Sequence, residues 1–235
     1  MREPRRLILW DIDGTLLSGG EVAREAFADA VTQVTGLDTQ DHGVRMSGKT
    51  DPQIAMEIME RVGVRSEDAR SHLPNVLLAL EEGLGSQAAR LRDEGRVHPG
   101  VPGLLERLSR DLRVIQSVLT GNLKANARVK LASFGLDRFV DLDVGAFGSD
   151  HHDRTELIPI ALERVGVRYG LRPSPTDVWL VGDTPRDLQA ARAAGARCLL
   201  VATGRFTMDE LSGIGADAVL SDLRDEDRVV EVLLG

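Results

Sequence analysis

The chain is 235 residues long, has an ordinary apolar content of 42% and carries a net charge of −8, which allows one large domain or a main domain with a substantial insertion. The acidic balance argues against general nucleic-acid binding, which needs basic patches, and no apolar run reaches the roughly 20 residues of a membrane helix. The single cysteine, Cys198, excludes an internal disulfide and fits a reducing cytoplasm.

Met1–Trp10 is basic and then briefly apolar, too short and too soon followed by acids for a leader peptide. Leu7–Trp10 reads as a buried strand ending at Asp11, Asp13 and Gly14. From about Glu21 to Gly95 the pattern is helical. One helix spans Ala23–Gly36 and another Asp51–Val64, and a third stretch over 66–95 is bent or divided by Pro74 or Gly83–Gly85. From His98 onward the rhythm alternates. Helices are predicted over 98–110, 122–135, 153–166, 185–195 and 227–235. Strands are predicted over Arg113–Thr120, Phe139–Gly145, Asp177–Asp183, 196–204 and 216–222. Such alternation predicts an α/β fold, a Rossmann-like parallel sheet with helices on both faces. The helical block is then an inserted cap. Residues 1–17 plus 98–235 form the core and residues 18–97 the cap, with Ser18, Gly19 and Gly20 as its hinge. Trp10, Trp179 and Cys198 are expected in the core.

Strand ends of a parallel sheet gather ligands, and four of them carry polar signals. Asp11 and Asp13 are close enough to repel unless a cation such as Mg²⁺ or a shared proton intervenes; the plainer reading is a strand entering an Asp-Gly turn. At Thr120, Gly121 and Asn122 a hydroxyl precedes a helix start, with Asn122 as its expected cap; this suits phosphate oxygens or an ordinary turn. Asp153 and Glu156 have capping-box spacing, which puts Arg154 in a first helical turn against the helix dipole. Arg154 is therefore either a holder of anions or a solvated arginine. Lys130 and Lys124 compete for its role, with Lys130 read as a helix-face lysine. In GDTPRD, Thr184 is the expected N-cap, Pro185 takes the first helical position and Asp183 faces Asp11 and Asp13. Asp187 is either a site acid or a capping acid. In the cap, Thr50 and Gln53 form a capping box beside Lys49, an anion site or a plain helix start. His151 and His152 read as solvated loop residues, and His98 as part of the return from cap to core.

In this order, DIDGTL, TGN and GDTPRD resemble the first, second and fourth motifs of the haloacid dehalogenase superfamily, in the phosphoglycolate phosphatase-like branch with a helical cap after the first motif. The resemblance covers nearly the whole chain. The third motif is usually a lysine; here Arg154 stands best placed, with Lys130 as the alternative. Gly48, Lys49 and Thr50 are similar to the cap loop that reaches substrate. The resemblance implies a Mg²⁺-dependent phosphatase. Asp11 would be the nucleophile, forming an aspartyl-phosphate, and Asp13 the general acid and base. Asp11, Asp183, Asp187 and Asp13, the last through its backbone carbonyl, would hold Mg²⁺. Gly14, Thr120, Gly121, Asn122 and Arg154 would cradle phosphate. The few aromatics, one tyrosine and two tryptophans, favour a small phosphorylated metabolite such as phosphoglycolate or a sugar phosphate over a nucleotide, although Phe27 or Phe206 could stack. The expected protein is a cytoplasmic monomer or homodimer with no nucleic-acid or membrane partner. Alternatives are a phosphosugar mutase, a 2-haloacid dehalogenase and a non-enzymatic phospholigand sensor.

Overall fold

Side chains alternate across a strand, and this splits every central strand between two apolar layers. The computed structural model describes residues 6–235; the leader-peptide reading of the N-terminal end lies partly outside them. In β1 (Arg6–Trp10), Ile8 and Trp10 enter one layer while Leu7 and Leu9 enter the other. The first layer is closed by helices at 101–109, 124–133 and 226–234, the second by helices at 157–169 and 185–193. A sheet buried on both faces needs near-continuous apolar strands, and the sequence supplies them.

Chain order begins with β1, β2 (Leu17–Ser18), α1 (Val22–Thr35), α2 (Asp51–Arg61), α3 (Ser66–Ser86), α4 (Ala88–Glu94) and β3 (Arg96–Val97). It continues with α5 (Val101–Ser109), β4 (Val114–Val118), α6 (Lys124–Ser133), α7 (Leu157–Tyr169), β5 (Val178–Gly182) and α8 (Pro185–Ala193). The last elements are β6 (Arg197–Val201), α9 (Met208–Ser212), β7 (Ala218–Leu220) and α10 (Glu226–Leu234). The five-stranded sheet has the order β4-β1-β5-β6-β7, parallel throughout. This is the α/β architecture expected. Helices α1–α4 close on a third apolar cluster of their own, built on Phe27, Val31, Ile58, Met59 and Leu80, and form a cap. The chain leaves and re-enters the core through β2 and β3, which pair antiparallel side by side.

Several elements differ from expectation. No strand forms at Phe139–Gly145. A 3-10 turn covers Asp137–Phe139, and the Asp141 carboxylate then accepts from Asp143 N at 3.0 Å, curling the chain. An aspartate that satisfies its own local backbone in this way competes with a strand ladder. The segment still covers the edge of β4: Asp141 N donates to Gln116 O at 2.9 Å and Ala146 N to Val118 O at 3.0 Å. The long helical stretch divides at Gln87, not at its glycines, and Pro74 stays inside α3. Helix α9, with its Thr207–Glu210 capping box, was not anticipated. Trp10, Trp179 and Cys198 are buried as expected, and burial pushes the Cys198 thiol upward, out of reactive range.

One polar chain crosses this core behind the first strand end. Trp10 Nε1 donates to Gln116 Oε1 at 3.2 Å, and Gln116 Nε2 donates to Leu105 O at 2.9 Å and Phe139 O at 3.3 Å. Gln116→Leu adds apolar surface yet strips the buried Trp10 indole of its partner, so we expect a loss of about 1–3 kcal/mol. A urea denaturation midpoint that rises instead of falling contradicts this.

Candidate active site

The parallel register brings three loops to one end of the sheet. Asp11 N donates to Val181 O at 2.8 Å and Leu119 N to Trp10 O at 2.9 Å, so the chain segments following β1, β4 and β5 leave the sheet side by side. A cavity of about 220 Å³ opens there, lined by Asp11, Asp13, Gly14, Thr120, Gly121, Asn122, Arg154 and Asp183 from the core, and by Gly48, Lys49 and Asp51 from the cap.

Carboxylate oxygens of Asp11, Asp183 and Asp187 lie within 4.8 Å of one another, all buried. Asp183 fills a slot made by missing side chains. A Cβ at Gly14, whose φ is +90°, would stand 2.5 Å from Asp183 Oδ2, and one at Gly204 would stand 1.8 Å from it. The only side-chain hydrogen bond to Asp183 among the described residues comes from Thr15 Oγ1 at 3.2 Å. Burial raises the Asp183 carboxyl to about 8, with repulsion from Asp11 and Asp187 adding to it. Burial likewise raises Asp11, to about 6, against the opposing pull of Arg154. These residues fit a divalent ion. Hard oxygen donors converge, and the most raised carboxyl has a hydroxyl and, among the described residues, no cation in contact with it.

Arg154 is buried and reaches Asp11 Oδ1 at 3.0 Å, Asp187 Oδ1, and Leu119 O at 3.3 Å, while its Nε has no partner among the described residues. It is not a solvated arginine. Its Asp153 cap bonds Thr155 N in a 3-10 turn, not Glu156 as a capping box would. Asp187 combines both of its expected characters. Oδ2 caps Thr184, accepting from its N at 3.0 Å and its hydroxyl at 2.8 Å, while Oδ1 takes Arg154. Both oxygens are therefore hydrogen-bonded within the protein.

Lys130 overturns the helix-face reading. It is 3% exposed, and its Nζ donates to Asp13 at 2.6 and 2.8 Å and to Asn122 Oδ1 at 2.7 Å. Two turns of helix carry it back toward the strand end. Asn122 is not the cap of α6; its amide donates to Asp13 Oδ2 and to Thr120 Oγ1, both at 2.7 Å. Thr120 thus accepts two bonds, leaving its own hydroxyl proton for the cavity. Lys124 lies elsewhere, paired with Asp143.

The cap loop is bonded to these core loops. Thr50 forms the expected capping box with Gln53 and also donates to His152 O at 2.7 Å. A Cβ at Gly121 would fall 2.0 Å from Lys49 O, so only glycine lets the two backbones meet. Asp51, which sequence reasoning passed over, is buried. It accepts from Leu123 N at 2.8 Å, and its own N donates to Gly121 O at 2.7 Å. Burial raises its carboxyl to about 6. Its position at the first turn of α2 reads in sequence as plain helix-start chemistry. Lys49 pairs with Glu57, and Phe27 lines the cavity whereas Phe206 packs against the second apolar layer.

A model of haloacid dehalogenase-like hydrolases matches residues 5–195. The chain belongs to that family. Among individual relatives, it is 26% identical over 206 residues to the probable phosphatase IndB of Dickeya dadantii (strain 3937), covering 87% of this chain and 84% of that protein. Its fold matches a predicted phosphatase from Clostridium acetobutylicum with a TM-score of 0.72 at 19% identity, covering 97% and 100% of the two chains. It also matches a predicted phosphoglycolate phosphatase from Haemophilus somnus 129pt at 0.70 and 18%, covering 98% and 100%. No helix among the described residues is long and apolar enough to cross a membrane.

The raised carboxyls give a signed prediction. A carboxyl that holds its proton higher in the folded chain than unfolded makes the native state bind more protons, so metal-free stability falls as pH rises through the folded value. Between about pH 7 and about pH 8 Asp183 dominates, and its slope is at most about 1.4 kcal/mol per pH unit; above that the buried Cys198 thiol adds a decline of the same sign. Melting temperatures in EDTA should fall across that range, and Mg²⁺ should raise them more at the alkaline end. An EDTA melting temperature that climbs from pH 7 to pH 8 contradicts the assignment.

Proposed function

We propose that the protein is a Mg²⁺-dependent phosphatase that hydrolyses a small phosphate monoester through an aspartyl-phosphate on Asp11. Residues 18–97 act as the cap over a core of residues 1–17 and 98–235. One observation carries the reading: Asp11, a buried carboxylate at the cavity floor, has Arg154 on one side and Asp183 on the other. An oxygen nucleophile, a fixed cation and a second acid converge where a phosphoryl group would sit.

Asp11 attacks phosphorus, a P–O bond forms to its carboxylate, and the ester P–O bond breaks. Asp13, held by Lys130 and Asn122, protonates the departing alkoxide. It then takes a proton from the water that attacks the phosphoryl-aspartate, which releases phosphate and restores Asp11. Arg154, Thr120 and Gly121 hold the phosphoryl oxygens as charge spreads. Arg154 lines the cavity, and its ion pair with Asp187 fixes the guanidinium there. Asp11, Asp183 and the Asp13 carbonyl would hold Mg²⁺, whose charge would offset the repulsion between the acids and a phosphate dianion. The cap loop closes the cavity over the leaving group and limits the access of bulk water.

A panel of small phosphate esters tests the reading. We expect phosphate release with Mg²⁺, none with EDTA, and recovery on adding the ion back. Asp11→Asn should lower kcat by at least roughly 10³-fold with the fold intact by circular dichroism. Arg154→Met should cost about 10²–10³-fold in kcat/KM. Isomerised product without net phosphate release identifies a mutase instead; Asp11→Asn at full activity removes the nucleophile.

A further inference from the structure

Helix α2 starts at Asp51, yet Thr50 and Gln53 already cap it. The buried Asp51 carboxylate serves a different helix. Its Oδ2 accepts from Leu123 N at 2.8 Å, and the Asp51 backbone N donates to Gly121 O at 2.7 Å. These two bonds fall on either side of Asn122. Helix α6 has no side-chain cap from its own N-terminal residue, Leu123, so the cap residue Asp51 supplies that acceptor; its Oδ2 also takes Asn126 Nδ2 of α6 at 3.5 Å. The backbone of Lys49 and Thr50 packs on the same loop. A Cβ at Gly121 would fall 2.0 Å from Lys49 O and 2.9 Å from Thr50 Cα, so the clamp is seated without slack.

Asn122 in turn holds Asp13. The Asp13 side chain is 43% exposed, and its side-chain partners are Asn122 Nδ2 at 2.7 Å and Lys130 Nζ at 2.6 and 2.8 Å. Lys130 also donates to Asn122 Oδ1 at 2.7 Å, which joins the three side chains in one network. An exposed carboxylate keeps several rotamers open unless such bonds select one, and a proton donor must stand within hydrogen-bond reach of the leaving oxygen. The Lys130 charge acts on Asp51 as well, opposing the rise that burial gives that carboxyl. Building on the phosphatase reading, we propose that Asp51 is a positioning residue for Asp13: it grips both neighbours of Asn122 and, through the Asn122 amide, sets where the Asp13 carboxyl stands. Among the described residues Asp51 itself hydrogen-bonds neither Asp11 nor Asp13.

The leaving group provides the test, because p-nitrophenolate departs without a proton and an alkoxide needs one. With the full chain and Mg²⁺, kcat/KM is measured for p-nitrophenyl phosphate and for the alkyl phosphate that the wild type turns over best. Asp51→Ala should lower the alkyl value by about tenfold or more and the p-nitrophenyl value by less than about threefold. Asp51→Asn, which keeps an acceptor for Leu123 N, should recover most of the alkyl loss. In an Asn122→Ala background Asp51→Ala should cost less than about twofold further, since no amide remains to be positioned. If Asp51→Ala does not fold, Asp51→Ser, which keeps a polar group at the start of α2, should show the same contrast. Equal losses on both esters mean general damage to the fold and overturn the inference, as does no loss on either. An alkyl loss that persists in full beside Asn122→Ala means that Asp51 touches the leaving group itself, and overturns it too. A wild type that cleaves p-nitrophenyl phosphate alone gives Asp13 no acid step and overturns the inference; one that cleaves neither ester removes the phosphatase reading with it.

Discussion

Three carboxylates, those of Asp11, Asp183 and Asp187, are buried within 4.8 Å of one another at the ends of neighbouring parallel strands. Like charges about 4 Å apart repel by about 4 kcal/mol at an effective dielectric of 20, so this arrangement exists only because something offsets it. Arg154 does so for Asp11 and Asp187. Asp183, enclosed by Gly14, Gly204 and Thr15, has no such partner among the described residues and instead holds its proton up to about pH 8. On the proposed reading, a divalent ion in this slot would replace that proton and make the floor receptive to a phosphoryl dianion. Glycines, strand register and the buried arginine all serve that one imbalance.

The same constraint reaches the cap. Helix α6 carries Lys130, which holds Asp13, and the backbone N–H at its start is taken by Asp51 from the cap. Leu123 at that start is itself part of the cap's apolar cluster. Cap position and the acid beside Asp11 are thus tied to one helix, with the backbone contact between Lys49 and Gly121 completing the seam. Asp51 is costly to keep charged in so buried a place, which explains why its bonds go to the helix start, where the dipole favours a negative charge.

Much of this was legible in the sequence, for physical reasons. Apolar runs ending in acids identify β1 and β5 because a doubly buried strand has few other compositions. Thr184, Pro185 and Asp187 announce α8 because helix starts need those groups. What escaped reading depended on distance in three dimensions. Lys130 looks like a surface lysine because only the return of α6 across the strand ends brings it to Asp13. Arg154 and Lys130 compete for one role in sequence, yet in space they serve different acids. Asn122 has cap chemistry, but the nearby Asp13 and Lys130 outcompete the helix start for its amide. At Phe139–Gly145 the apolar alternation is real, and Asp141 defeats it locally.

The central claim is that an oxygen of Asp11 becomes bonded to phosphorus during turnover. Acid-quenching the Mg²⁺-loaded protein while it hydrolyses a small phosphate ester, followed by peptide mapping by mass spectrometry, tests this directly. The account predicts a peptide containing Asp11 heavier by one phosphoryl group, absent without Mg²⁺ and absent in Asp11→Asn. A phosphoryl group trapped on any other side chain, or rapid turnover with no modified peptide under quench conditions that preserve acyl phosphates, contradicts it.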